Sequence, residues 1–336
     1  MTRLNHKLAR IRAGQYRRSD FVIADAKDGD MGAGCTTPAP SRDGPRRLRT
    51  YLDQIAAVVR QDIVDIMLLS ASNLERMVDE GVFRDSAVQP AIRANEATDC
   101  WGGLRGGRYT QHPSRNFRTA KLSRVMHGTT RPAPGASITG TDLGLYSITF
   151  NNDFEADLAS LTAFAEFRDE AAEHGFRYFL EVFNPNAPRD LDPADVARFV
   201  NDHILRALAG VMRADRPQFL KIPFNGPAAL EELAGYDPSL IVGVLGGGAG
   251  TTRDTFELLH QAEKYGARLA LFGRKINLAD SPLDIVRFMR AVADGDIGPA
   301  EAVAAYHGAL QAQGIAPSRA LADDDVITEP ALKQAG

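Results

Sequence analysis

The sequence predicts an α/β protein of one (β/α)8 barrel, a TIM barrel, with a long insertion after the third strand. Three observations carry this expectation. Apolar runs of strand length alternate with amphipathic runs of helix length, which implies a parallel sheet with helices outside. The runs number eight, each followed by a helix or a long loop. In the second half the spacing is short and regular, which favours a closed barrel over an open doubly wound sheet. The 336 residues are enough for a barrel of about 250 residues plus insertions.

Each element has its own signal. Phe21-Val22-Ile23-Ala24 is a short apolar strand, and a Gly-rich loop follows from Asp28 to Gly34. Leu48, Leu52, Ile55, Ala56 and Val59 lie at helical spacing within 46–60. The second strand spans 62–69. Ser72 with Glu75 reads as a capping box for the next helix, and Gly81 as its stop. A weaker third strand covers 88–95. Residues 101–140 are rich in Gly, Arg, Ser, Thr and Pro, a loop long enough to expect a function of its own. The fourth strand spans 143–150 and a long helix 154–174.

The second half is cleaner. A strand over 176–183 ends at Asn184-Pro185-Asn186, and Asp192-Pro193 opens a helix to Met212 with a cap and a first-turn proline. Strands follow at 218–224, 240–245 and 268–272. The helices between them open at Pro227 and Thr252, and two more cover 281–293 and 298–313. The expected organisation is one barrel domain over 1–314, with an arm at 1–20, the insertion at 101–140, and a peripheral polar tail at 315–336.

Composition narrows the function classes. A net charge of -4 gives no global basic field for nucleic acid. The basic N-terminus (Arg3, Lys7, Arg10, Arg12, Arg17, Arg18) reads as a solvated arm or phosphate-facing edge. Two cysteines, Cys35 and Cys100, make no disulfide framework and fit a reducing compartment. No signal-like leader or membrane-length apolar run is evident, so a soluble cytoplasmic enzyme is expected. The seven histidines show no ligand spacing, so neither a metal nor another cofactor is expected.

In a barrel, chemistry sits at the carboxyl ends of the strands. Lys221 lies in the apolar run Phe219-Leu220-Lys221-Ile222-Pro223-Phe224. A lysine in a closed barrel strand points inward, where burial favours the neutral amine that attacks a carbonyl to form an imine. The alternative is an ion pair with an interior carboxylate such as Glu181 or Asp25. Glu181, on the preceding strand, can relay protons, and Asp25 can orient a hydroxyl or act as base, with Asp28 as its nearest substitute. Lys27 is the rival amine, in the loop beside Asp28. Gly246-Gly247-Gly248 opens a glycine run before a helix, and Gly273-Arg274 ends the next strand. Both suit a substrate phosphate, together with Lys27 and Asp28. The basic insertion (Arg105, Arg108, His112, Arg115, Arg118, Lys121) covers the site, binds a second anionic group, or is a mobile surface loop or an oligomer contact.

These residues resemble a family. Phe179-Leu180-Glu181, Leu220-Lys221-Ile222-Pro223, the Gly246–Gly250 loop and Ala270-Leu271-Phe272-Gly273-Arg274 are similar to the class I (Schiff-base) aldolases of the DeoC/FbaB/LacD type. The tagatose-bisphosphate and archaeal-type fructose-bisphosphate branches are nearest. The resemblance covers 176–310 and implies that Lys221 forms the Schiff base, that Glu181 and Asp25 assist proton transfer, and that the glycine loops hold a phosphate. It departs at Ala26-Lys27-Asp28, where the fructose-bisphosphate branch has His-Gly, and at Phe183-Asn184, where a tyrosine acid is usual.

The expected function is therefore a metal-independent lyase of carbohydrate metabolism. It cleaves or forms a C–C bond in a phosphorylated ketose or deoxy sugar through an imine on Lys221. A sugar-phosphate isomerase or epimerase with Glu181 as base, or a non-catalytic sugar-phosphate-binding barrel, uses the same loops without the imine. The expected partners are the small phosphorylated sugar and further copies of the chain, with no nucleic acid and no membrane.

Overall fold

The computed structural model describes residues 2–37 and 47–335. Eight strands close into a barrel: β1 Val22–Lys27, β2 Ile66–Leu69, β3 Gln89–Arg93, β4 Leu143–Thr149, β5 Arg177–Phe183, β6 Leu220–Ile222, β7 Val242–Leu245 and β8 Leu269–Phe272. The neighbours run β1-β8-β7-β6-β5-β4-β3-β2, and the pairs are parallel. The chain is a (β/α)8 barrel, as its alternation predicts.

Strand side chains alternate between the two sides of the wall. Val22, Ala24, Ile66, Leu68, Ala91, Leu145, Phe179, Phe219 and Leu271 fill one buried cluster, the floor of the barrel interior. Phe21, Ile23, Met67, Leu69, Ile92, Leu180 and Leu220 belong to a second cluster with the surrounding helices. This parity decides which strand residues can reach the site.

The helix 154–174 falls where the sequence places it, closed by Gly175 in the left-handed region (φ 65°). Several boundaries differ for local reasons. Asp62 takes a left-handed C-cap (φ 58°), so β2 starts at Ile66 and not at 62. Ser70, not Ser72, caps the helix Ala71–Asp79 by accepting from Asn73 N–H. Asp192 caps a 3-10 turn, Pro193–Asp195, before the α-helix Val196–Leu208 begins. The helix expected from residue 46 is seen from Leu48 to Gln61, and residue 46 lies outside the described residues.

Two terminal expectations are corrected. The basic N-terminus is neither a solvated arm nor a phosphate-facing edge. Helix Arg3–Arg12 buries Leu4, Leu8 and Ile11 against the barrel floor. Its cations hold the strand entrances. Arg3 and Lys7 meet the buried Asp65 at 3.0 and 2.9 Å, and Arg12 donates to the Gln218 carbonyl at 2.8 Å. Nor is the tail peripheral: Leu332 is buried in the core, and Gln261 Nε2 donates to its carbonyl at 2.9 Å. Among the described residues no helix is long and apolar enough to cross a membrane.

Candidate active site

Above the apolar floor, the next inward positions are polar, and three of them are charged. Arg93 follows Ala91 by two residues, Ser147 follows Leu145, Glu181 follows Phe179, and Lys221 follows Phe219. All four are therefore aimed into the barrel. Ladder register sets them side by side: Ser147 is opposite Glu181, and Glu181 opposite Lys221. On β7 the next neighbour is Gly243, where a Cβ would lie 2.2 Å from Leu269.

The four form one network. Lys221 Nζ lies 2.5 Å from Glu181 Oε1. Arg93 Nη2 donates to the other oxygen, Oε2, at 3.1 Å, while its Nε donates to Asp28 Oδ2 at 2.5 Å and its Nη1 to Ser147 Oγ at 3.0 Å. Lys221, Glu181, Arg93 and Asp28 are all buried. An unpaired charge at such depth is costly, and the alternation of cation and carboxylate offsets that cost.

The electrostatics follow from the packing. Burial pushes the Asp28 carboxyl up, but Arg93 and then Lys221 outweigh it and hold it below its ordinary value. Burial works against the charge on Arg93, yet Asp28, Cys100 and Glu181 keep its pKa above the ordinary arginine range. The Cys100 thiol is pushed up to about 12, chiefly by burial and against the pull of Arg93.

Asp25 and Lys27 are not in this network. The sequence places Asp25 at the end of the first strand and Lys27 in the loop beside Asp28. Strand β1 continues to Lys27, so both lie within the strand, at odd positions on the helix-facing side with Phe21 and Ile23. They pair with each other at 3.4 Å, both fully buried. Burial pushes the Asp25 carboxyl up to about 6 against the pull of Lys27. The first-strand carboxylate that does reach the network is Asp28, one residue past the strand.

Arg93 is not among the residues singled out from the sequence, although it carries a related signal: Lys221 and Glu181 are charges within apolar strands, and Arg93 is a charge at the end of one. Ser147 is small and neutral, and only the register marks it.

The two loops expected to hold a phosphate follow β7 and β8. Between β7 and helix Thr252–Lys264, Gly247 and Gly250 take φ of 65° and 61°, a conformation that L side chains rarely adopt. After β8, Gly273 leads into the short helix Arg274–Asn277. Arg274 is exposed, and its neighbour Lys275 is the buried cation, 3.5 Å from the Ala249 carbonyl. Phe183 and Asn184 stand at the end of β5, and Asn184 and Asn225 exchange two side-chain hydrogen bonds of 2.8 Å.

The insertion is ordered over its described length. Asp99 accepts from Thr149 at the end of β4, and Asn186 donates to the carbonyls of Thr110 and His112. Two of its cations have partners outside the network. Arg115 donates to the Glu155 carbonyl, and Arg118 pairs with Glu170 over the Phe167 ring.

No protein-family model matches the chain, and no curated protein matches it. Solved structures do resemble it. An archaeal fructose 1,6-bisphosphate aldolase aligns with a TM-score of 0.59 at 15% identity, over 87% of this chain and 99% of that one. An archaeal fructose-1,6-bisphosphate aldolase with its catalytic lysine covalently bound to the carbinolamine intermediate gives 0.59 at 17% identity, over 87% and 98%. A fructose-bisphosphate aldolase from Slackia heliotrinireducens gives 0.63 at 14% identity, over 91% of each chain. At such identities the likeness is one of fold.

Proposed function

We propose that the protein is a class I aldolase that cleaves or forms a C–C bond in a ketose or deoxy sugar through an imine on Lys221. One observation carries the reading: a buried lysine on the sixth strand of a closed barrel, aimed inward, with a carboxylate 2.5 Å from its Nζ. The neighbouring aldolases are described as acting on fructose 1,6-bisphosphate, one through a lysine carbinolamine, which supports a phosphorylated sugar as the substrate class here.

The chemistry needs a neutral amine and somewhere to put its proton. Glu181 is positioned to accept it. The freed Nζ adds to the ketone carbon, the carbonyl oxygen leaves as water, and the iminium that remains is the electron sink. Cleavage of the C–C bond adjacent to that carbon delivers its electron pair into an enamine. The proton of the hydroxyl on the departing aldehyde carbon goes to a base. Asp28, held ionised by Arg93 and Lys221, is the carboxylate available for that step in place of Asp25. Protonation of the enamine and hydrolysis of the iminium restore Lys221.

Borohydride reduction with a panel of ketoses and ketose phosphates, read by peptide mass spectrometry, tests the reading. The expected result is a reduced adduct on Lys221. A Lys221→Arg variant that retains turnover would remove the imine and leave an isomerase or epimerase using Glu181 as base.

A further inference from the structure

The C-terminal segment crosses the loops after β7 and β8, where the sequence places a phosphate. Buried Asp324 accepts from Thr252 N–H at 2.8 Å and meets His307 Nε2 at 2.9 Å. Thr251 Oγ1 donates to the Val326 carbonyl at 2.7 Å, and Thr328 N–H donates to Asp254 at 2.7 Å. These contacts deliver Glu329 onto the cradle. Its Oε1 accepts from Lys275 Nζ at 2.8 Å, and the Lys275 side chain is fully buried. The same oxygen lies 3.2 Å from the place where a Cβ on Gly250 would stand. A carboxylate of the chain itself therefore sits against the glycine loop and neutralises its nearest buried cation.

We propose that Glu329 is a specificity-determining residue. It takes the anion position between the β7 and β8 loops, so the end of the substrate that meets those loops is an uncharged hydroxyl end and not a phosphate. The proposal rests on the imine reading for the substrate's identity as a ketose. Two features argue that the segment is a fixed wall. Leu332 is buried in the core, and Asp254 holds Thr328 and Glu329 by their backbone N–H groups. A phosphate brought to this place would meet a like charge and find Lys275 already paired, which selects against it.

The first test uses the wild-type protein with borohydride, a ketose bisphosphate and its two monophosphates. One monophosphate is trapped on Lys221 about tenfold or more faster than the bisphosphate. Glu329→Gln narrows that ratio. Equal or preferred trapping of the bisphosphate by the wild type overturns the proposal. If no ketose is trapped at all, the imine reading fails by itself, and inorganic phosphate decides the proposal. In calorimetric titration, Glu329→Gln binds inorganic phosphate about tenfold or more tightly than the wild type. Equal affinity of the two overturns it. Lys275→Met covers the case in which Glu329→Gln does not fold. Unchanged phosphate affinity supports a cradle already filled, and a loss relative to wild type shows that phosphate reaches Lys275 and refutes the proposal.

Discussion

The barrel wall buries two lysine–carboxylate pairs, Lys221 with Glu181 and Lys27 with Asp25, and they face opposite ways. The first is inside, at 2.5 Å, and is joined through Arg93 to Asp28. The second is outside, at 3.4 Å, shut between β1 and the helix layer. Each joins a lysine to a carboxylate, and their burial is similar. Only strand parity separates a candidate catalytic lysine from one that belongs to the packing. Buried charge in a strand is thus evidence of an unusual environment, and the register says which environment.

The largest expected effect breaks the comparison at its centre. Lys221→Met should abolish imine trapping and lower turnover by roughly 10^4- to 10^6-fold, the range seen when a covalent nucleophile is removed. Lys27→Met should leave turnover per folded molecule unchanged and instead cost about 3–5 kcal/mol of stability, because Asp25 is left buried without its cation. Steady-state kinetics and urea denaturation on both variants check this. Equal losses of activity would erase the distinction between the two sides of the wall.

Arg93 is the next lever. It touches Asp28, Ser147 and Glu181 together. Arg93→Met should destabilise the fold by about 3–5 kcal/mol. Arg93→Lys can replace one contact but not the forked set, so it should recover only part of that loss. Full recovery by lysine in chemical denaturation would mean that charge alone, and not the fork, holds the inner network.

The outer pair makes a prediction in pH. The Asp25 carboxyl is raised from 3.8 to about 6, mainly by burial, so folding favours its protonated form. Its contribution is fully present below the unfolded value and is lost as pH rises through about 6. The difference amounts to about 3 kcal/mol across that window. From urea unfolding between pH 4 and 7, the wild type should therefore lose about this much stability relative to Asp25→Asn as the pH rises. A constant offset between them would mean that Asp25 is ionised throughout.

How much of this was legible before the structure depends on what each signal contains. Alternation and strand-length runs carry the barrel, because helix and strand periods differ and eight repeats leave little room for another topology. Lys221 and Glu181 stand out because charge in an apolar run has no surface to go to. Lys27 reads as loop although the strand continues through Ala26 to it, because a short polar stretch carries no strand signal when its burial is unknown. Leu4, Leu8 and Ile11 do fall on one helical face. The basic residues between them drew the reading toward an exposed arm, whereas Arg3, Lys7 and Arg10 pair with Asp62, Asp65 and Asp20 around the barrel entrance. The role of Glu329 lay beyond pattern reading, since its partner Lys275 is a long-range contact set by how the segment packs.

The smallest expected effect asks how the inner network gains its first-strand carboxylate. Asp28 sits at the head of the loop that continues into the single turn Asp30–Ala33. That turn is held from the start of the helix after the second strand: Ser70 Oγ donates to Asp30 Oδ2 at 2.7 Å, and Asn73 Nδ2 donates to the same oxygen at 3.1 Å. Ser70 also caps the helix Ala71–Asp79, so Ser70→Ala should cost about 1 kcal/mol through the cap. The cap is common to any helix, but the bond to Asp30 is specific to the loop. If the loop's anchorage positions Asp28, Ser70→Ala should also lower turnover, while Ser70→Asn, which still caps, restores stability without restoring the bond to Asp30. If both variants keep wild-type turnover, Asp28 is positioned by Arg93 alone.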